Sequence, residues 1–227
     1  MTFKISRIIL GIEQSADGRL INSLQSMNSP ADLDQRIRTL FPTKHPDAVI
    51  LDGKMLNLLQ EGSAEMLPKK TRPRSTQQKT GPQFILIADN DNLDAISQFV
   101  GRQDEKCLIF TTEDLISQLR TDRLTQQCRM KSFGKTRFCF HSAFSFLKNR
   151  SEFKEILCFV DSDTAWKLLK KGWFSQIVVL IRPKLLNDSE HPSTVEGGGA
   201  QSLLEAIQLK PPVISSLGND LLAVYEC

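Results

Sequence analysis

The chain has 227 residues, 40% of them hydrophobic and 24% charged, which suits a folded α/β unit and excludes a disordered or low-complexity chain. Lys and Arg number 29 against 26 Asp and Glu, so there is no global positive field of the kind that carries nucleic-acid binding, and nucleic acid is not an expected partner. No apolar run reaches membrane-span length, the N-terminal apolar stretch is too short for a secretory signal, and the five scattered cysteines and three separated histidines lack zinc spacing; the expectation is a cytoplasmic protein with reduced cysteines, no metal and no membrane partner.

Residues 5–12, with Ile8, Ile9, Leu10 and Ile12, predict a buried first strand. Ser15-Ala16-Asp17-Gly18-Arg19 then breaks it as a tight turn, since Asp bonds nearby backbone and Gly accepts positive φ. Such a turn is an ordinary strand exit and equally a place where a ligand meets backbone. Asn28 or Ser29 as cap, Pro30 in the first turn, and Leu33, Ile37 and Leu40 at helical spacing predict a helix. The apolar run 48–51 predicts a second strand, followed by a short helix in Lys54–Gly62. Residues 67–83 form a basic, Pro-containing loop with five Lys or Arg and no acid, either solvated or in contact with phosphate.

Further strands are expected at 84–89, 107–112, 137–140, 156–161, 176–183 and 221–227. Helices are expected within 113–124, 142–157 and 163–172, the last stopped by Gly172. This alternation predicts one α/β domain over 1–227 with a largely parallel sheet. The last two strands flank a Gly-rich loop, 187–202, without a helical pattern, which predicts an antiparallel C-terminal edge. An acid cluster at Asp89–Asp91 resembles part of a signalling receiver, yet it follows the third strand, where a receiver needs it after the first.

The order of SADGR, RIRTLF, DAVILDG, GPQFILIAD, CLIFTTED, EILCFVDSDTAWKLLKKGWFSQIVVLIRPKLL and VISSLGNDLLAVYEC resembles the C-terminal reductase domain of bifunctional riboflavin-biosynthesis enzymes and its stand-alone fungal and archaeal relatives. It covers nearly the whole chain. The resemblance implies a dihydrofolate-reductase-like fold: a mostly parallel central sheet with an antiparallel C-terminal edge and helices on both faces. It also implies NADPH as cofactor, a ribosylaminopyrimidine phosphate (5-amino-6-ribosylaminouracil phosphate) as nucleotide-like substrate, and a homodimer, with the strand at 176–183 and Trp173 as candidate interface.

On that resemblance, Asp17, Gly18, Thr111, Ser162 and Thr164 are the candidate cofactor contacts, and Ser26, Asn28, Arg36, Arg38 and Lys54 the candidate substrate contacts. Lys69, Lys70, Arg72 and Arg74 are further candidates for phosphate. Each has a plainer role: turn bonding for Asp17, capping for Thr111 and Thr112, a solvated helix face for Arg36 and Arg38. Trp166 and Trp173 read as core or interface aromatics rather than a cofactor platform.

Three departures bear on function. Where the family has two glycines after the late strand, this chain has Val160-Asp161-Ser162-Asp163-Thr164, so carboxylates stand where a diphosphate would meet bare helix-terminal amides. Asp161, Ser162 or Asp163 suits a helix cap instead. Val195-Glu196-Gly197-Gly198-Gly199 looks like the missing glycine signature, but it follows the strand it should precede. After DAVILDG the family's acidic stretch is replaced by KMLNLLQEG. Two functions therefore stand open: an NADPH-dependent pyrimidine reductase, and a non-catalytic, degenerate member that binds a nucleotide-like ligand or a protein partner.

Overall fold

The computed structural model describes residues 6–21, 30–41, 45–53, 55–56, 82–102, 107–119, 124, 128–150, 152–187, 193–198 and 203–227. Among them nine strands form one sheet: β1 (Arg7–Ser15), β2 (Ala48–Asp52), β3 (Gln83–Ile87), β4 (Leu108–Thr111), β5 (Arg129–Ser132), β6 (Glu155–Phe159), β7 (Gln176–Arg182), β8 (Val213–Leu217) and β9 (Asp220–Glu226). The α-helices are α1 (Pro30–Leu40), α2 (Leu93–Arg102), α3 (Glu113–Gln118), α4 (Phe140–Lys148) and α5 (Ser162–Lys170). None is long and apolar enough to cross a membrane.

The sheet order is β5-β4-β3-β2-β6-β1-β7-β9-β8. β1 to β7 run parallel, and β9 is antiparallel to both β7 and β8. This is the mostly parallel sheet with an antiparallel C-terminal edge that the alternation of elements predicts. Central strands such as β2 are buried along their whole length, because helices cover both sheet faces. On one face Leu33, Ile37 and Leu40 of α1, Ile96 and Val100 of α2, and Leu115 of α3 pack against alternate strand side chains. On the other, Phe144 and Leu147 of α4 and Ala165 and Leu168 of α5 do the same. Phe110 and Phe133 meet edge-on there, 4.7 Å between ring centroids, an arrangement that aromatic quadrupoles favour.

Three local expectations differ from the structure. β1 extends to Ser15 instead of stopping near Ile12, because β7 pairs with it through Ser15↔Arg182. The strand expected at 137–140 is absent: Phe140 opens α4, and the edge strand is Arg129–Ser132, which has no apolar run to announce it. The strand at 176–182 and Trp173 offer no interface. β7 is hydrogen-bonded on both edges, to β1 and β9, and Trp173 packs against Phe144 with a centroid separation of 5.9 Å. Exposed apolar surface lies two strands away at the β8 edge of the sheet, where Val213 and Ile214 are 73% and 62% exposed.

Candidate functional site

The topology reverses at the centre of the sheet. β2 to β5 step outward to one side, whereas β6 and β7 return to flank β1. In open α/β sheets ligands bind outside the carboxyl ends of strands at such a reversal. The strand ends at this reversal are those of β1, β2 and β6, and of these Asp52 of β2 and the Val160-Asp161 exit of β6 meet through a hydrogen bond.

Asp52 is the least expected member of this group. An acid ending an otherwise apolar run (AVILD) was its only sequence signal. It is 5% exposed. One carboxylate oxygen accepts the Met55 amide at 2.8 Å and the other accepts the Asp161 amide at 2.7 Å. Burial pushes its pKa up to about 7, with the neighbouring Asp161 carboxylate adding to the rise, against the opposing pull of those two amides. Asp52 is therefore largely neutral below neutrality.

Asp161 is the cap of α5, as one of the alternatives for that stretch has it. Its carboxylate accepts the amides of Asp163 at 3.2 Å and Thr164 at 3.3 Å, and the Thr164 hydroxyl at 2.7 Å. Asp163 pairs with Lys167 one turn on. Ser162 and Thr164 are both nearly buried at the start of the helix. Two first-turn amides that would face an anion are thus taken up by the chain's own carboxylate, and a second carboxylate holds the amide of Asp161 itself.

The end of β2 is closed from above by Asn92, which is 2% exposed. Its side chain accepts the Asp89 amide at 3.1 Å and lies so close to Gly53 that a Cβ there would sit 1.3 Å from Asn92 Nδ2 and 2.6 Å from Asn92 Cβ. Gly53→Ala is expected to cost about 2 kcal/mol through overpacking, a fall of roughly 4–8 °C in the unfolding midpoint. Thermal unfolding of the purified variant checks this; an unchanged midpoint would show that Asn92 is not fixed over the strand end.

The Ser15–Arg19 turn is also internally committed. Gly18 has φ 77°, which explains glycine there. Ser15 Oγ donates to Asp17 Oδ1 at 2.5 Å, and Asp17 accepts the amides of Leu186 at 3.2 Å and Asn187 at 2.8 Å. The Ser15 hydroxyl first, then the Asn187 amide, hold its pKa down to about 2. The glycine segment at 193–198 does fold back over this edge. Thr194 donates through Oγ1 to the Gly18 carbonyl at 2.9 Å and to Gln14 at 2.7 Å. Gly197 lies against the Trp166 ring, and Trp166 Nε1 donates to the Gly198 carbonyl at 2.9 Å. Beneath this segment, among Gly11, Met55, Phe159 and Thr194, remains a cavity of about 20 Å³, room for a water and no more.

The other candidates are dispersed. Thr111 is buried at the end of β4, where its hydroxyl donates to the Ala88 carbonyl at 2.9 Å, and Thr112 caps α3. Arg38 pairs with Asp34 on α1 and faces an open groove of about 500 Å³ shared with Arg182 and Asp220. Ser26, Asn28, Lys54, the basic segment 67–81 and the side chain of Arg36 lie outside the described residues. Sequence reasoning missed Arg182 altogether. It ends β7 with Nε donating to Glu13 at 2.7 Å and Nη1 to Asp220.

A nicotinamide dinucleotide brings a diphosphate that needs free amides or cations. The start of α5 presents Asp161 and Asp52 instead, so these residues do not fit that group.

The family model described as the RibD C-terminal domain matches residues 6–223. Among solved structures, Acinetobacter baumannii RibD superposes with TM-score 0.68 at 11% identity, over 100% of this chain and 59% of that one. The riboflavin biosynthesis reductase Rib7 of Saccharomyces cerevisiae gives TM-score 0.61 at 13% identity, over 100% of this chain and 91% of that one. A pyrimidine reductase-like protein of Corynebacterium diphtheriae gives 0.62 at 14%, over 97% and 91%. The chain thus spans about three fifths of the Acinetobacter protein's length. No curated protein matches the chain by sequence.

Proposed function

The chain belongs to the RibD C-terminal domain family, and from that premise we propose that it keeps the family's reductase-like scaffold as a non-catalytic binder of a nucleotide-like small molecule. The observation that carries this reading is the start of α5, where Asp161 takes two first-turn amides and Asp52 takes the amide of Asp161. Hydride transfer requires a nicotinamide held beside its acceptor, and the cofactor itself supplies the hydride. A diphosphate approaching this helix meets the Asp161 carboxylate and amides already taken by the chain's own carboxyl groups, in place of free donors. Asp17, Gly18, Thr111, Ser162 and Thr164 then serve to build the sheet edge. Arg38 remains the proposed contact for a ligand phosphate, because it lines a groove wide enough for one. The exposed Val213 and Ile214 of β8 support a homodimer through that edge.

The alternative is an NADPH-dependent reductase of a ribosylaminopyrimidine phosphate. It is favoured by the extent of the family match, which runs through every strand of the parallel sheet. The two readings separate in a turnover assay. We expect no consumption of NADPH above background when the protein is mixed with NADPH and a ribosylaminopyrimidine phosphate. Saturable, enzyme-dependent NADPH oxidation with formation of the reduced ribityl product would overturn the proposal.

A further inference from the structure

We infer that Cys107 and Cys128 form a reversible intramolecular disulfide that clamps the β5 edge of the sheet to β4. The β4–β5 register pairs Leu108 with Arg129, so the residues just before them, Cys107 and Cys128, are lateral neighbours. The Arg129 amide donates to the Cys107 carbonyl at 3.3 Å, which holds the two backbones together at that point. Both side chains enter the same apolar cluster and therefore leave the sheet on the same face. Adjacent strands lie roughly 4.8 Å apart, inside the Cα separation of about 4.4–6.8 Å that disulfides span.

The two thiols are hydrogen-bonded to each other, and that contact lowers the pKa of Cys128 below the ordinary thiol value in spite of its burial. Cys128 is 7% exposed and Cys107 1%, so Cys128 is the one a small oxidant reaches. The remaining cysteines are arranged differently. Cys158 is fully buried and its thiol is pushed up by burial and by Asp52. Cys139 contacts Ser142 at the start of α4, and Cys227 is exposed at the C-terminus.

With hydrogen peroxide as oxidant the step balances. The Cys128 thiolate attacks one peroxide oxygen, the O–O bond breaks, and hydroxide leaves to give a sulfenic acid. Cys107 then attacks that sulfur, the S–O bond breaks, and water leaves. Two thiols and one peroxide become one disulfide and two waters. A dithiol reductant reverses it. The bridge would enclose α3 and the Thr111-Thr112 strand exit, one wall of the sheet edge described above.

The test uses full-length Cys139→Ser/Cys227→Ser protein, in which the more accessible thiols are removed and the core is untouched. It is treated with hydrogen peroxide, quenched, alkylated in denaturant and mapped by mass spectrometry. The expected result is loss of two hydrogens from the intact mass, a linked peptide pair containing Cys107 and Cys128, and alkylation at Cys158 alone. Dithiothreitol should restore both thiols. The oxidised form should unfold about 5–10 °C above the reduced form. Adding Cys128→Ser should abolish the linked pair. Alkylation of both Cys107 and Cys128 after treatment, or oxygen addition without a link, would overturn the inference.

Discussion

Replacing Arg182 with Ala is expected to cost about 3 kcal/mol of folding stability, at the lower end of the range for stranding a buried charge because Arg182 is itself partly solvated. Arg182 sits between two acids at the end of β7, with Glu13 at 2.7 Å and Asp220 on its other side. The Glu13 side chain is only 6% exposed. Without the guanidinium, that carboxylate loses its ion pair with Arg182 and keeps Asp220 as a like-charged neighbour. The unfolding midpoint should fall by roughly 6–12 °C. A Glu13→Gln/Arg182→Met double variant should recover part of the loss, since it removes the buried Glu13 charge and leaves only the more exposed Asp220 without its Arg182 pair. An Arg182→Ala protein as stable as the parent would mean that Glu13 reaches water in the native state. Neither variant touches the start of α5.

Asp52 predicts the second large effect, read as a pH dependence. Its pKa in the folded protein is raised from 3.8 to about 7, chiefly by burial. For a group raised on folding, the contribution is fully present below the unfolded value and is lost as pH rises through the folded value. The window is therefore about pH 4 to pH 7, with the parent protein losing stability across it. Asp52→Asn keeps a neutral side chain at every pH; its one oxygen can accept only one of the Met55 and Asp161 amides, so a pH-independent loss offsets its whole curve. Relative to the parent, its stability should rise by a few kcal/mol, on the order of magnitude set by the linkage relation, between about pH 4 and pH 8. Denaturant unfolding of both proteins at several pH values gives the difference curve. Parallel curves would remove Asp52 as a buried proton-holding group.

The fold was largely legible because its signals are local and repeated. Apolar runs such as Ala48–Leu51 and Gln176–Ile181 can only be buried parallel strands when helices cover both faces. Pro30 with Leu33, Ile37 and Leu40 marks α1, and Asp161 marks the start of α5. β5 was hidden because an edge strand reading Arg-Met-Lys-Ser carries charge where apolar residues would announce it, as edge strands do to avoid pairing with other chains.

The site was legible only in part. The substitution of acids for glycines after β6 pointed to a cap at Asp161, Ser162 or Asp163, because capping is a local rule, and Asp161 is the one that caps. What the acids touch is not local. Asp52 and Asp161 are 109 residues apart and meet through a backbone hydrogen bond that no spacing rule anticipates. Asn92 over Gly53, and Arg182 between Glu13 and Asp220, are likewise products of strand order. Asp17 and Thr111 looked like ligand groups because they end strands; their hydrogen bonds go to Leu186, Asn187 and Ala88 instead.

The most direct test of the closed cradle is isothermal titration of the full-length protein with NADPH at modest salt, alongside the Asp52→Asn/Asp161→Asn variant. Asn is as good a helix cap as Asp, so the variant keeps α5 while losing the Asp161 charge and the proton-holding carboxyl of Asp52. The account predicts no binding to the parent up to millimolar NADPH. Micromolar binding to the parent would contradict it, because a diphosphate would then be held beside Asp52 and Asp161 as they stand.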